Sequence, residues 1–216
     1  MKMRIPPLLA LAALAACGDV APAGAAVPAD PAAWTIGPII RGRNYSQGVP
    51  LNPVPRRSGG WHIDLPQAPG SVHYVTFRHG PLTGKSRIVL RYRLELEPGA
   101  RLLAASDGKS QSMITLYFQR AGDNWSGRGR FEAYRWYATF ATQTPIRPGS
   151  NEIVAPLDAA WTAVERSSAR TNPEAFRAAI EEADQVGFVL GGGDGYGHGV
   201  FATGRARLVV TSFRVE

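Results

Sequence analysis

The segment Gln185–Glu216, QVGFVLGGGDGYGHGVFATGRARLVVTSFRVE, decides the fold more than any other part of the chain. It predicts a short apolar strand at Val186–Leu190, a loop at Gly191–Gly199 and a closing strand at Arg205–Val215. Six glycines fall within the loop, both ends included. Because glycine tolerates positive φ and close backbone approach, this loop is predicted to fold tightly over a ligand or over the protein's own sheet.

Further strand patterns with a period of two precede this segment. Ser86–Glu97 places apolar side chains on one face and charged ones on the other, as a half-buried antiparallel strand does. Met113–Arg120 is apolar on both faces and is therefore predicted to lie centrally in a sheet. Phe131–Thr142 is predicted to be a long aromatic strand, with Tyr134 and Trp136 on the same face. About nine or ten strands, separated by Gly and Pro turns, predict an all-β protein: an antiparallel β-sandwich with one or two short helices.

The clearest helix signal lies near Pro173–Ala183. Asn172 or Thr171 can act as its N-cap, and Thr171 and Glu174 have the spacing of a capping box. The apolar side chains recur at helical spacing, and they are Phe176, Ala179, Ile180 and Ala183. This helix is predicted to pack on an edge of the sandwich.

Residues 1–16 have the features of an export signal. Lys2 and Arg4 precede an apolar run that is too short to span a bilayer, which needs about 20 residues. The sequence Leu-Ala-Ala-Cys that ends at Cys17 resembles the lipobox of bacterial lipoproteins, which implies a lipoprotein signal peptide and a lipid on Cys17. An ordinary secretory signal with an incidental cysteine is the alternative. In the sorting pattern of such lipoproteins an Asp directly after the cysteine retains the protein at the inner membrane, so Gly18 at this position favours the outer membrane. The alternative to a lipid-anchored protein is a periplasmic or secreted one.

The rest of the chain divides into a tether and one domain. Residues 17–33 are rich in Ala and Pro and are predicted to be a flexible tether, and residues 34–216 a single β-sandwich domain. Cys17 is the only cysteine, so no internal disulfide is expected. The net charge is +7, but the arginines are scattered without a compact basic run. Nucleic-acid binding is therefore not predicted.

The order of several short motifs resembles a known family. The motifs are, in sequence, Trp61–Leu65, Trp125-Ser126-Gly127, Arg135-Trp136-Tyr137, Pro156–Trp161, the helix, Val186-Gly187-Phe188, the triple glycine at 191–193, Gly197–Val200 and Ser212–Val215. This pattern resembles the galactose-binding-like jelly-roll domains, the fold of many carbohydrate-binding modules. The resemblance covers roughly residues 34–216 and implies the fold more than any function.

The aromatic strand is the first candidate for a glycan-binding site. Sugars stack their C–H faces on Trp and Tyr, and Arg bonds their hydroxyls, so Tyr134, Arg135 and Trp136 have suitable chemistry. Trp125 lies in a polar loop and is expected to be exposed. The alternative is that these rings fill the core, where aromatic side chains contribute much of the buried area.

The glycine loop is the second candidate, through Asp194, Tyr196 and His198. Loops at the rim of jelly-roll domains often carry ligands, which the resemblance extends to this loop. A lone histidine without a second ligand at metal-binding spacing is otherwise expected to be structural.

The sequence thus predicts a lipid-anchored, non-catalytic glycan-binding domain without a cofactor or metal. Two alternatives remain open, an assembly lipoprotein that binds a protein partner and a glycan-active enzyme. The strands offer carboxylates for the enzyme, but no nucleophile elbow or zinc-protease motif is present. A structural calcium with ligands from Asp64 and Glu216 is a further option that the sequence leaves open.

Overall fold

Short antiparallel strands make up most of the structure. The structure is a computed structural model, and it describes residues 25–26, 30–139, 143–164 and 167–216. The ladders between the described strands are all antiparallel. The prediction of an all-β, jelly-roll-like antiparallel sandwich with a short helix is confirmed.

The described elements are seventeen strands, one α-helix and two 3-10 turns, one at Pro31–Ala33 and one at Gly129–Ala133. The strands and the helix are β1 (Ala25–Ala26), β2 (Trp34–Gly37), β3 (Ile39–Ile40), β4 (Arg43–Asn44), β5 (Val54–Pro55), β6 (Trp61–Leu65), β7 (Tyr74–Arg78), β8 (Arg87–Leu96), β9 (Leu102–Ala104), β10 (Met113–Arg120), β11 (Arg135–Tyr137), β12 (Thr144–Pro145), β13 (Gly149–Pro156), β14 (Thr162–Ala163), α1 (Pro173–Glu181), β15 (Ala183–Gly191), β16 (Val200–Ala202) and β17 (Ala206–Val215).

The first sheet is built around the closing strand. Its order is β13-β8-β17-β6-β5, with β1 added to β17. Strand β17 pairs with β8 from Ala206 opposite Leu96 to Val215 opposite Ile88. In β8 the side chains that alternation placed inside, such as Leu90, are buried, and Arg91 is exposed. The closing strand that was predicted at Arg205–Val215 is thus present as β17, and it lies in the middle of this sheet.

The second sheet has the order β14-β11-β10-β15-β7-β2, with β12 added to β10. Strand β10 lies between β11 and β15, and six of its eight residues are buried. The prediction that Met113–Arg120 is a central strand is confirmed. The inner faces of the two sheets meet in one core, whose largest side chains include Trp34, Trp136 and Trp161.

The helix begins as expected, but its cap differs from the predicted capping box. The side chain of Asn172 accepts a hydrogen bond from the amide of Ala175, which makes Asn172 the N-cap. Thr171 instead bonds Ser168, its side chain accepting from that residue's amide. The capping-box prediction for Thr171 and Glu174 is therefore wrong, because Thr171 closes the preceding turn.

The aromatic strand is shorter than predicted. Gly129–Ala133 forms a 3-10 turn, and only Arg135–Tyr137 pairs as a strand. The indole N–H of Trp136 donates to the carbonyl of Ala133 at 2.9 Å, which closes the turn. The predicted continuation at residues 140–142 lies outside the described residues.

The chain before Trp34 is partly structured. Ala25–Ala26 pairs with Arg214 and Val215 of β17, and Pro31–Ala33 forms a 3-10 turn capped by Asp30. Nδ2 of Asn52 also donates to the carbonyl of Ala32 at 3.4 Å, so both described segments contact the domain. The flexible tether at residues 17–33 stays a prediction. The predicted signal peptide and the lipidation site at Cys17 lie outside the described residues.

Candidate functional site

A cluster of tyrosines lies on the outer face of the second sheet. Tyr74, Tyr117 and Tyr137 project from three strands, away from the core to which their sequence neighbours contribute. The outer face of a sheet is usually exposed to solvent, yet Tyr117 and Tyr137 are almost fully buried. Two half-buried rings pack on the cluster, those of Trp125 and Tyr196, and they come from the two loops that cover this face.

Hydrogen bonds join the tyrosines to a polar chain. The hydroxyls of Tyr74 and Tyr137 are 2.7 Å apart. The Tyr117 hydroxyl donates to Oε1 of Gln119 at 2.9 Å, and Nε2 of Gln119 donates to Oδ2 of Asp123 at 3.0 Å. Burial raises the pKa of all three tyrosines. Their hydroxyls therefore stay protonated at neutral pH and remain able to donate.

A buried ion pair ends this chain. Arg135 Nε lies 3.0 Å from Asp123 Oδ2, and the two side chains are 9% and 0% exposed. Burial raises the pKa of Asp123, and the nearby Arg135 only partly offsets this rise. Burial lowers the pKa of Arg135, but Tyr137 and Asp123 more than compensate, so the guanidinium stays charged. The pair anchors the covering loop to the sheet, since Asp123 belongs to the loop and Arg135 to β11.

Trp125 is held in a strained conformation above this pair. Its φ is +64°, a left-handed value that is uncommon for a residue other than glycine. The Asp123 carboxylate accepts from the Trp125 amide at 3.1 Å, and the Arg135 guanidinium lies 4.8 Å from the indole centroid. The ring of Tyr74 meets the indole edge-on at 5.3 Å. Backbone strain that is maintained by several surrounding contacts is found more often at functional sites than elsewhere.

A cleft of about 500 Å³ opens beside Trp125 on the same sheet face. Its aromatic and polar walls include Thr35, Tyr74, Thr76, Arg78, Trp125 and Gln185. The Thr76 hydroxyl donates to Gln185 Oε1 at 3.3 Å, and the exposed Arg78 pairs with Asp184 at 2.9 Å. The cleft therefore combines an aromatic wall with hydroxyl, amide and guanidinium groups.

The first predicted site comprised the aromatic strand and the loop residue Trp125, and of its residues only Trp125 lines this cleft. Trp136 is 0% exposed and packs against Phe176 in the core, so its prediction as a ligand contact is wrong. Side chains alternate between the two faces along β11, so Trp136 points into the core while its neighbours Arg135 and Tyr137 point outward. Arg135 lies beneath Trp125, and half-buried Tyr134 packs elsewhere, between Phe131 and Arg120.

The glycine loop holds its predicted residues apart from the cleft. Oδ2 of Asp194 lies 3.1 Å from Nε2 of His198, and the two side chains are 45% and 55% exposed. The Tyr196 hydroxyl donates to the carbonyl of Ala163 at 3.0 Å, and its ring meets Tyr137 edge-on. Tyr196 therefore fixes the loop onto the tyrosine cluster.

The sequence interpretation missed Tyr74, Thr76 and Gln185. The first two lie two residues apart in β7, and side chains at that spacing share one face of a strand. Their exposure to a cleft was not visible, because it depends on the Trp125 loop.

A larger cleft of about 630 Å³ lies on the outer face of the first sheet. Its walls carry Arg91, Arg93 and Glu152 but no tryptophan. Arg91 pairs with Glu152, and Arg93 pairs with Glu95 at 2.6 Å. Tyr92 is the only aromatic residue among its lining residues and is 1% exposed, so this cleft offers no ring for stacking and is a weaker candidate than the smaller one.

The described part of the chain contains no group of three or more His, Cys, Asp or Glu side chains arranged to hold a metal ion. Asp64 and Glu216, the residues considered for calcium, are engaged by arginines instead. Asp64 Oδ1 lies 2.6 Å from Arg207 Nε, and Glu216 Oε1 lies 2.6 Å from Arg214 Nε. Across the same described residues, the structure has no helix with the length and hydropathy of a membrane span.

Fold and site together define a β-sandwich with an aromatic cleft on the outer face of one sheet. Comparison of the sequence with protein-family models gives no match, and comparison with curated proteins finds no relative. Function is therefore inferred from the chemistry of the site itself.

Proposed function

We propose that this domain binds a glycan, without catalysis, in the cleft beside Trp125. The observation that supports the proposal most is the placement of that indole. It is half-buried and fixed at the cleft, and its conformation is held by Asp123 and Arg135. A rigid aromatic surface loses little conformational entropy when a sugar ring stacks on it.

The polar walls suit a sugar as well. Thr35, Thr76 and Gln185 supply hydroxyl and amide groups that can both donate and accept, and Arg78 adds a donor. Sugar hydroxyls need such mixed partners at the edges of an apolar face. The cleft volume of about 500 Å³ is within the range of small-ligand sites.

We also propose that the domain acts at a bacterial cell envelope, attached through a lipid on Cys17. The support is the lipobox-like sequence before that residue. Mass spectrometry of the membrane-extracted protein tests this, since lipidation predicts a diacylglyceryl mass at Cys17 that the Cys17→Ala variant lacks.

The tryptophan distribution allows a direct binding test. The other four tryptophans, Trp34, Trp61, Trp136 and Trp161, are no more than 3% exposed, so acrylamide quenching of fluorescence reports mainly on Trp125. We expect one polysaccharide from a panel of cell-wall and plant glycans to protect this fluorescence from quenching. The same glycan is expected to retard the domain in affinity gels.

Two variants locate the site. Trp125→Ala is expected to weaken retardation about tenfold or more, because a central aromatic contact is lost. Tyr134→Ala is the matched control and is expected to retain binding, because Tyr134 packs outside the cleft. Loss of binding in Tyr134→Ala but not in Trp125→Ala, with both variants folded, would contradict the proposal, as would the absence of retardation by every glycan tested.

A further inference from the structure

A serine and a histidine lie in hydrogen-bond contact at the rim of the sandwich, just before β7. Ser71 Oγ is 2.9 Å from His73 Nε2. The other ring nitrogen, His73 Nδ1, is 3.0 Å from the carbonyl oxygen of Gly197 in the glycine loop. Both side chains are half-buried and therefore reachable from solvent.

These contacts fix the tautomer of the histidine. A carbonyl oxygen only accepts, so Nδ1 carries the proton and donates it to Gly197. Nε2 of the neutral ring then has a free lone pair, and the Ser71 hydroxyl donates to it. Burial lowers the pKa of His73, with the Gly197 bond opposing this and His198 adding to it, so the ring is neutral at pH 7.

The surroundings hold the histidine in this position. The Ser46 hydroxyl accepts from the His73 amide at 2.9 Å. Gly199 packs against the ring so closely that a Cβ there would lie 2.7 Å from Nε2, and its φ is +90°. The arrangement thus has a nucleophile, a base and a group that orients the base, which are the parts of an activated serine.

We propose that Ser71 is a nucleophile, activated by His73, that accepts the acyl group of a carboxylic ester. Ser71 Oγ forms a bond to the carbonyl carbon while its proton passes to His73 Nε2. The bond from that carbon to the alcohol oxygen then breaks, and the proton on Nε2 passes to the leaving alkoxide. Water next forms a bond to the acyl carbon while its proton passes to Nε2. The bond from that carbon to Ser71 Oγ then breaks, Nε2 returns the proton to Oγ, and a carboxylic acid is released.

The hydrogen bonds of the nearby backbone amides also predict the rate of this reaction. The amide of Ser71 donates to the carbonyl of Gln47, and the amide of Gly70 donates to the carbonyl of Gln67. Neither is free to stabilise an oxyanion, and loss of one such donor costs about 10²–10³ in rate. Because acylation and hydrolysis of the acyl-serine both pass through such an oxyanion, we expect turnover to be slow.

A fluorophosphonate probe with mass-spectrometric mapping tests the proposal on the unmodified chain. The serine oxygen displaces fluoride from phosphorus, so a labelled peptide marks an activated serine. We expect labelling of Ser71 well ahead of Ser150, an exposed serine that serves as the internal reference. Labelling of Ser71 no faster than Ser150 overturns the proposal, and this reading needs no variant.

Variants separate activation from simple exposure. His73→Gln is expected to slow labelling of Ser71 about a hundredfold or more, since general-base help is lost while a polar side chain remains. Labelling at the wild-type rate in this variant, with circular dichroism showing an intact fold, also contradicts the proposal. Tyr134→Ala is the matched control and is expected to leave labelling unchanged, because Tyr134 packs between Phe131 and Arg120, outside both sites.

Discussion

The glycines in the loop at 191–199 differ in whether the structure leaves space for a side chain. A Cβ on Gly191 would collide with the carbonyl oxygen of Tyr196, within the same loop. A Cβ on Gly193 would meet nothing within 4 Å, and its φ is outside the left-handed range. The fold therefore requires glycine at position 191, whereas it has room for a side chain at position 193.

Gly191→Ala is expected to lower the free energy of unfolding by about 1–3 kcal/mol, because the backbone of Tyr196 must shift to admit the methyl group. Gly193→Ala, the matched control, is expected to change it by less than about 0.5 kcal/mol. Urea titration followed by circular dichroism measures both. Equal effects of the two substitutions would show that close approach at Gly191 does not matter.

At the scale of elements, one loop determines what the second sheet exposes. The loop between β10 and β11 is attached through Asp123, whose carboxylate meets Arg135 of β11 and the side chain of Gln119 of β10. A buried pair of this kind is costly to break, because the remaining partner stays charged without compensation. The loop and the sheet should therefore be stable only together.

Asp123→Ala is expected to cost about 3 kcal/mol or more, because it leaves the Arg135 guanidinium buried and unpaired. Glu182→Ala is the control, since Glu182 makes a two-contact ion pair with Arg120 at the surface. Its effect should be much smaller, because water replaces an exposed partner. Thermal and urea unfolding of both variants checks the difference, and a similar loss in each would argue against a stabilising role for the buried pair.

At the scale of the molecule, Trp34 joins the two sheets. It belongs to β2 of the second sheet, and its ring lies 4.8 Å from Trp61 and 5.3 Å from Phe213 of the first sheet. Phe77 of the second sheet is 4.6 Å away. The interior therefore depends on an aromatic side chain from an edge strand that is only four residues long.

Trp34→Ala is expected to lower the free energy of unfolding by about 3–5 kcal/mol, because it removes a fully buried indole and leaves a cavity. Trp125→Ala provides the comparison, since its indole is only half-buried and lies in a loop. We expect a clearly smaller loss there by urea unfolding. A larger loss in Trp125→Ala than in Trp34→Ala would contradict this account of the core.

The sequence by itself determined the sandwich, the central strand Met113–Arg120 and the alternation in β8, because a period of two records which side chains share a face. It also located the helix near Pro173, through its cap and apolar stripe.

Only the tertiary structure decided which faces are covered. Periodicity separates the two sides of a strand but says nothing of the loop that lies over one side. Trp136 therefore lies in the core and Trp125 lies at the cleft, although aromatic and polar residues adjoin both tryptophans in the sequence. Likewise, His73 meets Gly197 from 124 residues away, a contact that depends on the packing of the glycine loop against the rim.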